Sequence, residues 1–145
     1  MRCCVFLVAA LCLAQTKQPG AALLGSWVSN FSRSQLPANF QYHRLKLQFA
    51  TMLDTITVGS TFVLLSGQEV TATELFHLDG KLHPGTLNPG VMISAKWASP
   101  LKLETTATKN GKDAGVVIYD VSPDGKTLTS RYSTTPDQVL VFDRQ

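Results

Sequence analysis

The chain has 145 residues, 44% of them hydrophobic and 16% charged, with a formal net charge of +3. That length is one domain with room for a proper core. The small excess of positive charge excludes a basic nucleic-acid or anionic-membrane surface, because Arg44, Lys46, Lys81, Lys96, Lys102, Lys109, Lys112, Lys126, Arg131 and Arg144 never cluster.

The first element in chain order is a leader. Arg2 precedes an apolar stretch from Cys3 to Leu13, followed by Ala14, Gln15 and Thr16, the layout of a secretory signal peptide. The stretch is too short to span a bilayer as a permanent helix, so after cleavage the chain carries no integral membrane segment. Cleavage after Ala14, with Cys12 as the small residue two positions earlier, is the first reading; cleavage after Ala22, with Gly20 in that place, is the second. The organisation is therefore a signal peptide over 1–14, or to 22, and one domain over 23–145, secreted or periplasmic. Lipid anchoring through Cys12 is a minor alternative, opposed by the bulky Leu11 before it. Because Cys3, Cys4 and Cys12 all lie in the leader, the mature chain has no disulfide or thiolate metal site. Loss of Arg2 from the 13 basic residues leaves 12 against 10 acidic ones, a net +2.

Beyond a start containing Pro19 and Gly20, an ordered segment runs from Leu23 to Asn30. An irregular stretch follows from Phe31 to Gln41, and Asn30-Phe31-Ser32 would accept a glycan only in a eukaryotic secretory pathway. From there the apolar period is two, the mark of strands with one buried face. Leu45, Leu47 and Phe49 alternate with Arg44, Lys46 and Gln48; Thr55 to Val58 repeats the pattern, and Thr61 to Leu65 is more continuously apolar. The remaining predicted strands cover Glu69 to Leu78, Val91 to Trp97, Leu101 to Thr108, Gly115 to Ser122, Thr127 to Ser133 and Val139 to Arg144. Helical periodicity appears nowhere after the leader.

Between these runs lie Ser66-Gly67, Asp79-Gly80-Lys81, Asn110-Gly111, Asp124-Gly125 and Pro136-Asp137. Asn-Gly and Asp-Gly between alternating runs are strong hairpin signals, since they supply the positive φ of tight turns. Short connections make sequential strands antiparallel neighbours. The prediction is an all-β, up-and-down meander of about eight or nine strands, closed into a barrel because closure hides its edges.

Gly25-Ser26-Trp27 with Asn30 resembles the Gly-x-Trp-x-x-Asn opening of lipocalin-like barrels of the calycin type. Leu78-Asp79-Gly80-Lys81-Leu82-His83-Pro84, Val121-Ser122-Pro123-Asp124-Gly125-Lys126-Thr127-Leu128-Thr129 and Val141-Phe142-Asp143-Arg144-Gln145 extend the likeness over nearly the whole mature chain. Together they resemble an uncharacterised family of small exported bacterial lipocalin-like proteins. The chain departs from that pattern between Met52 and Gly67, which is more apolar, and at the short Thr134 to Gln138 turn. The resemblance implies that Trp27, after Gly25, closes one end of the barrel. The late strands bring Arg131 or Arg144 to stack on its indole by a cation–π contact. It also implies a small hydrophobic ligand inside.

Alternation nominates Phe49, Phe62, Leu75, Ile93, Trp97, Tyr119 and Tyr132 as ligand-lining residues. An inward set of that kind can equally fill a barrel of this size without leaving a cavity. His43, His77 and His83 suggest a metal only weakly: five residues separate His77 from His83, which is neither strand nor helix ligand spacing. No metal and no cofactor are expected. Asp79, Asp124 and Asp137 are read as turn residues. With no Gly-x-Ser-x-Gly elbow, cysteine nucleophile or Gly-rich phosphate loop, no catalytic residue is assigned and the chain is not expected to be an enzyme. Three readings stay open: an extracytoplasmic protein binding a small hydrophobic molecule in the barrel; a filled barrel whose outer face or open end meets an envelope partner; and, as the minor one, an isomerase or hydrolase, which would need two titratable groups facing each other inside the cavity.

Overall fold

The computed structural model describes residues 18–145; the leader expected over 1–14, and Cys12 with it, lies outside the described residues. The described residues form ten strands: β1 (Gly25–Ser29), β2 (Tyr42–Met52), β3 (Thr55–Leu64), β4 (Glu69–His77), β5 (His83–Pro84), β6 (Val91–Ser99), β7 (Lys102–Lys109), β8 (Lys112–Val121), β9 (Thr127–Tyr132) and β10 (Thr135–Arg144). Their order around one antiparallel sheet is β4-β3-β2-β1-β10-β9-β8-β7-β6-β5. This is the expected lipocalin-like meander. β3 runs unbroken through Gly59, and the two-residue β5 is an added strand.

The first and last strands pair directly, Trp27 opposite Arg144 and Ser29 opposite Phe142. The sheet's two free edges therefore meet in mid-chain, β4 beside β5 and β6. No ladder spans that seam. Side chains staple it instead: the Thr86 amide donates to Glu74 Oε1 at 2.7 Å, and the single Thr86 hydroxyl proton has two acceptors in reach, Glu74 Oε1 at 2.7 Å and the Thr73 carbonyl at 2.8 Å. Below them the His77 and His83 rings stack with centroids 4.0 Å apart, and His83 Nε2 lies 3.0 Å from Asp79. An exposed edge invites pairing with another chain, and these contacts cover it.

The alternation read in β2 sets its faces: Leu45, Leu47 and Phe49 are buried while Arg44, Lys46 and Gln48 are exposed. Thr135 pairs with Tyr132 but Val139 with Arg131. This register shift falls within the Thr134 to Gln138 turn where the sequence leaves the family pattern. At the other departure, the β2–β3 hairpin turns through Leu53, which is 95% exposed with φ +57°. A left-handed conformation costs a non-glycine residue about 1–2 kcal/mol, and asparagine tolerates it better. Leu53→Asn is expected to stabilise the protein by about 1 kcal/mol, read as a higher denaturant midpoint with unchanged slope.

Candidate functional site

The lower end of the barrel, where β1 begins and β10 ends, is closed. Trp27 is fully buried, and its indole N–H donates to the Leu23 carbonyl at 2.8 Å. The Arg144 guanidinium lies 4.2 Å from the Trp27 ring centroid. Its Nε donates to the Gly125 carbonyl at 2.7 Å, its Nη1 to Leu24 at 2.9 Å, and its Nη2 to Ala22. A single planar fork thus ties the N-terminal segment, the β8–β9 turn and β10 to one indole, a geometry that lysine cannot reproduce. Gly25, at φ +109°, allows this, because a Cβ there would sit 3.2 Å from Arg144 Nη1.

Arg131, the other predicted partner of Trp27, is corrected by the register. It pairs with Ile118 and Val139, alternates with the buried Ser130, and points out to solvent. Arg144→Ala is expected to cost about 1–3 kcal/mol, the range for hydrogen bonds from a charged group plus a cation–π contact, discounted toward the lower half by solvent exposure. Arg144→Lys should recover less than half of it in the same chemical denaturation.

Above this plug, Leu23, Ile56, Leu103, Val121, Leu128 and Phe142 fill the lower half. Phe49 belongs to this packing, 1% exposed and edge-on to Tyr119 with centroids 5.3 Å apart. Trp97 is also low in the barrel. The backbone of Gly20 packs against its ring so closely that a Cβ would overlap it, and Trp97 borders a 250 Å³ crevice with Pro19, Leu24, Ile56 and Leu78.

The upper half is different. A half-enclosed cavity of 310 Å³ lies between Val58, Phe62, Phe76, Ile93, Val117, Tyr119 and Tyr132, with Leu87, Asn88 and Thr134 from the upper connections and Ala114 of β8 at its rim. Four of the seven predicted lining residues are here: Phe62, Ile93, Tyr119 and Tyr132. Leu75 is a correction. Phe76 and Glu74 pair in register with Ile56 and Val58, both buried, so they point inward and Leu75, opposite Thr57, points out. Alternation could not choose, since β4 has an apolar residue on each face near its end and a carboxylate on the face that turns inward.

The polar groups lining the cavity are few: Ser60, Glu74, Asn88, Thr105, Thr134 and the two tyrosine hydroxyls. Burial, with Tyr132 and Glu74 nearby, raises the Tyr119 pKa well above that of a free phenol, and burial raises Tyr132 in the same direction. Both stay protonated and can donate. On the inner face opposite Tyr119, the Ser130 Oγ is buried without a hydrogen-bond partner. The cavity thus offers mostly apolar contact with a few hydroxyls and one carboxylate, a composition found in small-molecule sites. Two of the three predicted turn aspartates act as such, Asp79 accepting from the Lys81 amide and Asp124 from the Lys126 amide, while Asp137 lies within β10 at the register shift between Thr135 and Val139. Among the described residues no three His, Cys, Asp or Glu side chains converge as a metal site.

No known protein-family profile matches the chain, and no curated protein matches its sequence. Solved structures do match its fold. The wild-type fluorescent protein UnaG superposes with a TM-score of 0.61 at 14% identity, over 87% of this chain and 99% of UnaG. A Schistosoma mansoni fatty acid binding protein, in complex with arachidonic acid, gives 0.55 at 12% identity, over 88% and 98%. A variant of the fatty acid transporter REP1-NXSQ gives 0.60 at 12% identity, over 86% and 99%. At such identities the likeness is one of fold, a calycin-type barrel.

Proposed function

We propose that the protein is a non-enzymatic, extracytoplasmic carrier or sensor that binds a small hydrophobic molecule in the upper half of its barrel. The observation that carries this reading is the division of one barrel into a tightly packed lower half and a 310 Å³ upper cavity walled by aliphatic and aromatic side chains. A fully packed barrel would be the more stable one, since unfilled apolar volume forfeits dispersion contacts. Structures of the same fold that are described as a fatty acid binding protein and a fatty acid transporter support the reading. At about 30 Å³ per water the cavity holds roughly ten waters' worth of space, which suits a chain of about ten carbons or two fused rings.

Export rests on the leader and on the resemblance to small exported bacterial proteins. Support for a cut after Ala14 rather than Ala22 comes from the lower closure, in which the Ala22 carbonyl accepts from Arg144 and the Gly20 amide donates to Pro100 at 3.1 Å. The alternative role, docking on an envelope partner, has in its favour Met52 and Leu53, 69% and 95% exposed at the lower rim.

A screen of C8–C12 chains and small fused-ring compounds against the purified protein tests the ligand reading. A compound present at 100 times its dissociation constant adds about 2.7 kcal/mol of stability, so melting should rise by several degrees. No shift across the screen would remove the proposal.

A further inference from the structure

The cavity has a sign. Glu74 is the one charged side chain lining it; no Lys, Arg or His does so among the described residues. On the neighbouring strands Lys96 pairs with Glu104 at 3.2 Å and Lys102 with Asp120 at 3.1 Å, Arg131 is on the outer face, and Lys109 and Lys112 are exposed at the β7–β8 turn without lining the cavity. The carboxylate is also unevenly used. Oε1 accepts from the Thr86 and Leu75 amides and is within reach of the Thr86 hydroxyl, and no hydrogen bond reaches Oε2 from the described residues.

We propose that the cavity selects hydrophobic molecules whose polar end is a protonated amine or another N–H donor, with Glu74 Oε2 as its acceptor, and discriminates against fatty-acid anions. This rests on the ligand-binding reading and narrows it. An anionic head entering here would leave water to face a like charge with only neutral hydroxyls and Asn88 as partners, and burial of an unpaired charge is strongly unfavourable. An ammonium head would replace its hydration with a charge-assisted hydrogen bond. Tyr119 and Tyr132 serve either ligand, so the discrimination lies with Glu74.

The test uses a neutral fluorescent probe, N-phenyl-1-naphthylamine, displaced at pH 7 from the purified protein by decylamine, decanol and decanoate, each below its micellar concentration. Decylamine should displace the probe at a concentration at least about ten-fold lower than decanoate, with decanol between. Glu74→Gln keeps an oxygen for Thr86 while removing the charge, and in it the amine and carboxylate should come within about two-fold of each other. Equal or tighter binding of decanoate to the unaltered protein, or an amine preference that survives in Glu74→Gln, overturns the proposal and leaves the ligand-binding reading standing. Failure of the probe and of all three chains to bind removes both.

Discussion

Trp27→Ala is expected to cost about 3–5 kcal/mol, the range for truncating a fully buried aromatic residue. The ring is wholly enclosed, its N–H is the partner of the Leu23 carbonyl, and its face carries the Arg144 guanidinium. Removing it leaves that carbonyl without its donor and the guanidinium without its stacking surface. It also opens a void between β1, β2 and β10 that the surrounding ladders cannot collapse to fill. Against a total of about 5–15 kcal/mol for a domain, this is roughly a fifth of the stability or more. Urea denaturation reads it as a lower midpoint with an unchanged slope. Trp27→Phe, which keeps a ring but loses the N–H, should fall between. A loss under about 1 kcal/mol for the alanine variant would mean that the lower closure is not where the fold is held.

Ala107→Trp should have the opposite profile, abolishing ligand binding with little effect on folding. Ala107 lines the cavity, facing Ile93 on one neighbouring strand and Gly115 on the other. Overpacking a dense core costs about 1–3 kcal/mol, but here the added indole enters existing space and gains apolar burial as it does so. Any molecule that stabilises the unaltered protein should bind at least about 100-fold more weakly, a loss of about 2.8 kcal/mol at 1.4 kcal/mol per decade. Leu75→Ser, on the outer face of β4, is the matched control and should leave affinity unchanged. If Ala107→Trp binds normally, the ligand lies elsewhere.

Most of the barrel was legible because its signals are local. The Leu45-Leu47-Phe49 alternation states which face of β2 is buried, and Asn110-Gly111 and Asp124-Gly125 fix tight turns through their own backbone preferences. The pairing of the first strand with the last was also within reach, since a ten-strand meander hides most edge by joining its ends. What could not be read was decided between strands. Leu75 and Phe76 are adjacent and both apolar; only the pairing of Phe76 with Ile56 turns one in and the other out.

Arg131 and Arg144 were equivalent as late basic residues until register placed Arg144 opposite Trp27. The seam between β4 and β5 depends on Glu74 and Thr86, twelve residues apart with no shared motif. The position of the cavity was the least legible of all. Phe49 and Tyr119 are both inward aromatics with their rings 5.3 Å apart, yet Phe49 packs into the filled half and Tyr119 borders open space, a distinction that alternation along one strand does not carry.

The account depends above all on that division of the barrel. Amide and methyl NMR shifts recorded while decanol is titrated into the protein address it directly. Perturbations should gather at Phe62, Ile93, Ala107, Val117 and Tyr132, leaving Leu23, Leu128, Val121 and Phe142 unmoved. Shifts centred on the lower set, spread over the outer face, or absent at saturating decanol would contradict it.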